Sequence, residues 1–157
     1  MNIKLIAIGK TDNKALQLLI DDYTKRLGFY VKFDMDIIPD IKNVKNLSEA
    51  QQKEKEGELI LSKLSPSDQL ILLDENGKTF GSVGFSEYLQ KKMNSGIKTL
   101  VFVIGGPYGF SDTVYAQSQG KISLSAMTFS HQMVRLFFTE QVYRAFTILR
   151  NEPYHHQ

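Results

Sequence analysis

The residues best able to do chemistry in this 157-residue chain gather in its last third. The segment Leu124-Ser125-Ala126-Met127-Thr128-Phe129 is small and apolar with two hydroxyls. Such a loop can lie flat against an apolar ligand while its backbone N–H and C=O groups stay free to bond it. A long apolar stretch follows, opening at Ser130 and His131 and carrying Arg135, Glu140, Arg144 and Arg150. Guanidinium groups suit phosphate binding. Arg144 also stands four residues after Glu140, the spacing of an intrahelical ion pair. Arg135 stands four after His131, so those two side chains share a face. The chain closes on Asn151-Glu152-Pro153-Tyr154-His155-His156-Gln157. Here Tyr can stack on a base, and His can bond a base edge or move a proton. A frayed end is the other reading of this segment.

Two more loops deserve the same question. Gly105-Gly106-Pro107-Tyr108-Gly109 follows the apolar run Thr99 to Ile104, and Asp74-Glu75-Asn76-Gly77-Lys78 follows Gln69 to Leu73. The glycine loop is neither a dinucleotide fingerprint nor a Walker A motif. Two adjacent glycines allow backbone to approach a ligand closely, or simply make a tight turn.

The elements that must hold these loops alternate along the chain. Asn2 to Gly9 reads as a buried strand, and Asn13 to Leu27 as a helix ended by Gly28. Tyr30 to Ile38 alternates apolar and polar residues, the pattern of a half-exposed strand near a sheet edge. Ser48 and Gln51 form a capping box for a helix running to about Leu64, whose QQKEKEGE segment reads as a solvated face. After the strand Gln69 to Leu73, Ser82 caps a helix with Phe85, Tyr88, Leu89 and Met93 inward. Thr99 to Ile104 is a fourth strand, Ser111 caps a short helix, and Lys121 to Ser125 is the last strand. Strand and helix in alternation predict an α/β domain over 1–157 with a mostly parallel sheet and helices on both faces. In such sheets ligands sit beyond the carboxyl ends of the strands. The three loops above all follow strands.

The final helix is apolar over about half its circumference at roughly 100° per residue. That breadth means either burial on all sides or a face shared with a second copy, and a homodimer is expected.

Composition narrows the classes. The formal net charge is +2, from 19 basic and 17 acidic residues, which neither demands nor excludes nucleic acid. There is no Cys, so disulfides and thiolate catalysis are excluded. The three His lack metal-site spacing, so no metal is expected. No apolar run approaches the roughly 18–20 residues of a membrane span, and the N-terminus lacks the form of a signal peptide. A cytoplasmic protein without membrane contact is expected.

In order and spacing, FVIGGPYG, LSAMTFSHQMVR, EQVYRAF and EPYHH closely resemble the ribosomal RNA large subunit methyltransferase H family of the SPOUT superfamily. The resemblance extends to IGK, YTKRLGFY, EKEGELIL and LDENGK, and so covers essentially the whole chain. It implies S-adenosyl-L-methionine as cofactor and N3 of a pseudouridine in a 23S rRNA stem-loop at the subunit interface as target, on assembled 70S ribosomes. It implies a homodimer and a deep trefoil knot at about 100–150, which pattern reasoning could not supply. Carried over, the cofactor contacts fall on Leu73, Gly105, Leu124, Ser125, Ala126, Met127, Thr128 and Phe129. The catalytic positions fall on Arg144, Tyr154 and His155. His131, Arg135, Arg150 and His156 are the candidates for RNA contact. Two positions depart from the family pattern. Ser130 replaces an expected Pro, which should loosen the start of the helix, and His156 stands where Arg can occur. A non-catalytic ribosome-associated factor with this fold, or a dehydrogenase using the glycine loop, are the rival readings.

Overall fold

The computed structural model describes residues 1–156; Gln157, the last residue of the expected functional tail, lies outside the described residues. Five strands form one sheet in the order β2-β1-β4-β3-β5. They are β1 (Asn2–Ile8), β2 (Phe33–Ile38), β3 (Gln69–Thr79), β4 (Thr99–Ile104) and β5 (Gly120–Ser123). Every pairing is parallel. The helices are α1 (Lys14–Leu27), α2 (Glu49–Ser62), α3 (Ser82–Asn94), α4 (Asp112–Gln117) and α5 (His131–Leu149).

Period-two alternation divides the apolar strand residues between two cores. Ile3, Leu5, Ile71, Leu100 and Phe102 face the layer that holds Leu27 of α1, Phe85 and Leu89 of α3, and Phe138 and Val142 of α5. Ile6, Leu70, Leu72, Val101 and Val103 face the opposite layer, with Ile60 of α2 and Val114 of α4. The inner strands are therefore apolar on both sides, which explains their continuous apolar runs. The strand with polar alternation, β2, lies at the sheet edge, where one side meets water.

Helix α5 packs against both α1 and α3. This accounts for much of its apolar breadth: Phe138, Val142, Ala145 and Phe146 are all buried. Met133 and Phe137 remain 37% exposed on its outer side, and Leu18 and Leu19 of α1 are also exposed.

Four local expectations are corrected. Strand β3 does not stop at Leu73. The chain bulges out after Leu73 and returns so that Lys78 and Thr79 pair with Ile122 and Ser123 of β5. Gly77 makes this possible, because a Cβ there would lie 2.5 Å from the Ile122 backbone. The cap of α3 is Gly81 rather than Ser82, whose hydroxyl instead donates to Gln141 Oε1 at 2.9 Å. The charged run of α2 is not wholly solvated, since Glu56 and Gly57 are buried. Ser130 does not loosen α5: its Oγ accepts the Met133 N–H at 3.2 Å, a regular N-cap. The capping box of α2 forms as expected, with Ser48 and Gln51 bonded reciprocally.

Candidate active site

The strand register builds the site. Leu73 of β3 pairs with Ile104 of β4 on one side and Ile122 of β5 on the other. These three residues make a row across neighbouring strands, at the point where β4 ends and β3 bulges. Beyond the row the three loops diverge around a cavity of about 460 Å³. Leu73, Gly105, Leu124, Ser125, Met127, Thr128 and Phe129 all line it, and Ala126 does not. His131, at the first turn of α5, lines it as well.

Local bonding shapes the loop after β5. Ser123 Oγ donates to the Ser125 carbonyl at 2.9 Å, and the Met127 N–H donates to Ser125 Oγ at 2.9 Å. Among the described residues, the backbone N–H groups of Ala126, Thr128 and Phe129 make no backbone hydrogen bond. They are available to a ligand. The glycine loop fits tightly from behind. A Cβ on Gly105 would meet the Phe110 ring at 3.1 Å, and one on Gly106 would fall 1.9 Å from Glu56 Oε2. A side chain at either position would therefore require the Phe110 ring or the Glu56 carboxylate to shift.

Asp74, Glu75 and Asn76, from the loop that sequence reasoning singled out after Leu73, also line the cavity, and so does Tyr115, which it missed. The Tyr115 hydroxyl donates to Asp74 Oδ2, and the Asn76 N–H donates to Asp74 Oδ1 at 2.8 Å. Burial, then the bond to Asp74, pushes the Tyr115 phenol up to about 12. The adjacency of Asp74 to Leu73 was the available signal; Tyr115 offered none.

The expected catalytic residues meet elsewhere, toward the far end of α5. After Leu149 the chain turns back through Asn151, whose φ of 53° is left-handed, a conformation Asn tolerates. The Glu152 N–H then bonds the Thr147 carbonyl at 2.9 Å. This brings Tyr154 onto α5, with its hydroxyl donating to Glu140 Oε1 at 2.9 Å and lying 3.2 Å from the Tyr23 hydroxyl. Arg144 donates to the same Glu140 oxygen at 2.6 Å, covers the Tyr154 ring at 4.7 Å, and reaches His155 Nδ1 at 3.2 Å. The tail is therefore tied down rather than frayed. Tyr30 adds another tie, donating to Glu152.

Electrostatics assign states to this cluster. The hydrogen bond to Glu140 raises the Arg144 pKa, so the group stays cationic. Burial, then bonds to Tyr23 and Glu140, holds the Tyr154 phenol well above its ordinary range. It remains a phenol and cannot serve as a base near neutrality. A guanidinium only donates, so His155 Nδ1 accepts from Arg144 and the ring proton sits on Nε2.

The remaining candidates separate. Arg135 is 1% exposed, and its guanidinium donates to the Ile8 carbonyl at 2.9 Å and to Thr11 Oγ1 at 3.2 Å. It ties α5 to the end of β1 from a buried position. Burial, then the charge of Arg135, lowers the His131 pKa. Arg150 is exposed and lies over the Tyr30 ring at 4.6 Å, and His156 is exposed. Among the described residues there is no group of three or more His, Asp or Glu placed to hold a metal ion, and no helix long and apolar enough to cross a membrane.

Comparison with known proteins places this geometry. A family model described as "Predicted SPOUT methyltransferase" matches residues 1–155. The chain is 86% identical to the ribosomal RNA large subunit methyltransferase H of Flavobacterium johnsoniae, 84% to that of Flavobacterium psychrophilum and 68% to that of Christiangramia forsetii, over the full length of each. An all-parallel α/β sheet, loops converging at its carboxyl edge, and full-length identity at this level lead to one conclusion: the chain belongs to the SPOUT methyltransferases, in the ribosomal RNA large subunit methyltransferase H family.

Proposed function

We propose that this protein methylates N3 of a pseudouridine in a 23S rRNA stem-loop at the ribosomal subunit interface. The donor is S-adenosyl-L-methionine, and the substrate is the assembled 70S ribosome in the cytoplasm. We read 1–157 as one SPOUT domain with the family's knot at about 100–150, acting as a homodimer. The observation that carries the reading is the 460 Å³ cavity framed by Leu73, Gly105 and the loop 124–129.

The residues present fit the donor. The volume suits a nucleoside-sized ligand. The floor of Leu73, Ile104 and Ile122 is apolar, and the N–H groups of Thr128 and Phe129 can bond a ring edge. When bound, the donor supplies an already activated methyl group, so no nucleophilic side chain is required.

The chain's own task is to hold the base, exclude water and manage the N3 proton. Arg144 places a fixed positive charge where negative charge develops on the base. Tyr154 orients the base with its ring and hydroxyl. His155 can accept a proton at Nδ1 only after Arg144 releases that nitrogen. The base displaces that contact as Arg144 turns toward it.

The distance between cavity and tail supports a dimer. His131 lines the cavity and Arg144 holds the tail, and 13 residues of helix span about 20 Å. We read the tail of one protomer as completing the cavity of its partner. The exposed Met133, Phe137, Leu18 and Leu19 offer apolar surface for that contact.

The test is transfer of labelled methyl to 70S particles, 50S subunits and free 23S rRNA from cells lacking the modification. Label on 70S particles is expected. Cofactor and ribosome binding without label on any of the three would indicate the non-catalytic factor instead.

A further inference from the structure

The charged side chains that line the cavity are acidic. Asp74 and Glu75 line it, and no Lys or Arg does. His131 adds no positive charge near neutrality, because burial and Arg135 lower its pKa. Arg135, whose charge reaches His131, donates to the Ile8 carbonyl and Thr11 Oγ1 behind the wall and does not itself line the cavity. Lys121 lies 5.5 Å from the Tyr115 ring centroid and lines an adjoining hollow, not this cavity. Asp74 is also fixed in place. Its two carboxylate oxygens accept from Tyr115 and from the Asn76 N–H. With the Tyr115 phenol pushed up to about 12, that donor persists across the working pH range.

We infer that Asp74, held by Tyr115, makes this cavity select a cationic sulfonium nucleoside over the neutral thioether that methyl transfer leaves behind. The inference rests on the cofactor reading above and extends it to specificity and product release. In the transfer, the S–CH3 bond breaks and an N3–CH3 bond forms. The bonding electrons stay on sulfur, which becomes neutral, and the N3 proton passes to a base or to water. The ligand thus loses one positive charge. A fixed carboxylate in the cavity wall attracts the donor and offers the product no equivalent gain. The same field opposes nucleotide phosphates, including those of the dinucleotide that the glycine loop could otherwise suggest.

Isothermal titration of the full-length protein with S-adenosyl-L-methionine, S-adenosyl-L-homocysteine and ATP tests this, using wild type, Asp74→Asn and Tyr115→Phe at low and high salt. The wild type should bind the sulfonium about tenfold tighter than the thioether, and ATP more weakly than either. Asp74→Asn should lose most of that preference by weakening sulfonium binding alone, and Tyr115→Phe should lose part of it. Salt should narrow the wild-type preference. Equal weakening of both ligands in Asp74→Asn, or an unchanged ratio, would overturn the inference. Should that variant fail to fold, a wild-type preference that salt does not change would overturn it instead. If the wild type binds neither nucleoside, the cofactor reading itself falls, a result distinct from a lost preference.

Discussion

Arg144 and Tyr154 share a single acceptor, Glu140 Oε1, at 2.6 and 2.9 Å. One carboxylate oxygen thereby fixes both the cation and the aromatic ring of the proposed catalytic cluster. Arg144→Ala should lower methyl transfer about 10²–10³-fold, the effect of removing one charge-stabilising donor. Because Arg144 lies about 20 Å of helix from the cavity-lining His131, sulfonium affinity should stay within about threefold. Arg144→Lys should restore little, since an ammonium lacks the planar fork that reaches Glu140 and His155 together. Steady-state kinetics beside calorimetric affinities check this split. Equal loss of affinity and turnover would assign Arg144 a structural role.

Glu140→Gln should leave the fold intact but loosen the tail. The amide keeps the shape of the acceptor and weakens the charge-assisted bond to Arg144. Hydrogen exchange should rise at 151–156 while the protected amides of β1 and β4 are unchanged. Unaltered exchange in the tail would show that Glu140 does not hold it.

A Cβ on Gly106 would fall 1.9 Å from Glu56 Oε2, so the buried carboxylate would have to move. Gly106→Ala should cost about 1–3 kcal/mol by overpacking, measured by urea unfolding. Adding Glu56→Ala should recover part of the loss, since the two side chains compete for one space. Simple additivity would mean that the clash relaxes elsewhere.

Glu56 also predicts a pH effect on stability. Burial raises its pKa, opposed in part by the bond from Gln52. A carboxyl whose folded pKa exceeds its unfolded value holds its proton longer in the native state. Its favourable contribution is full below the ordinary carboxylate range and is lost as pH rises through the raised folded value. Unfolding free energy should therefore fall across that window in wild type, and Glu56→Gln should remove this component. An identical pH profile for the two proteins would contradict the assignment.

Much of this architecture was legible before any coordinates. The apolar runs of β1, β3 and β4 declare strands buried on both faces, and Ser48 with Gln51 declares a helix start. Each signal is local, and each was realised. The three loops that line the cavity were picked out by two routes, strand-end position and family resemblance. What stayed hidden depends on distant partners. The extension of β3 exists only because Gly77 meets the Ile122 backbone. Arg135 turns inward only because the Ile8 carbonyl waits there, and Tyr154 is anchored by Tyr23 from the first helix. No spacing along the chain reports such meetings.

The central claim, methylation at N3 of a pseudouridine, is tested most directly by nucleoside analysis. Ribosomes from cells lacking the modification would be treated with the purified protein and S-adenosyl-L-methionine, then digested and resolved by mass spectrometry. The account predicts one new nucleoside, 3-methylpseudouridine, from the 23S rRNA, formed about 10²–10³-fold more slowly with Arg144→Ala under the same conditions. A methyl group on any other atom, or none despite bound cofactor, would contradict it.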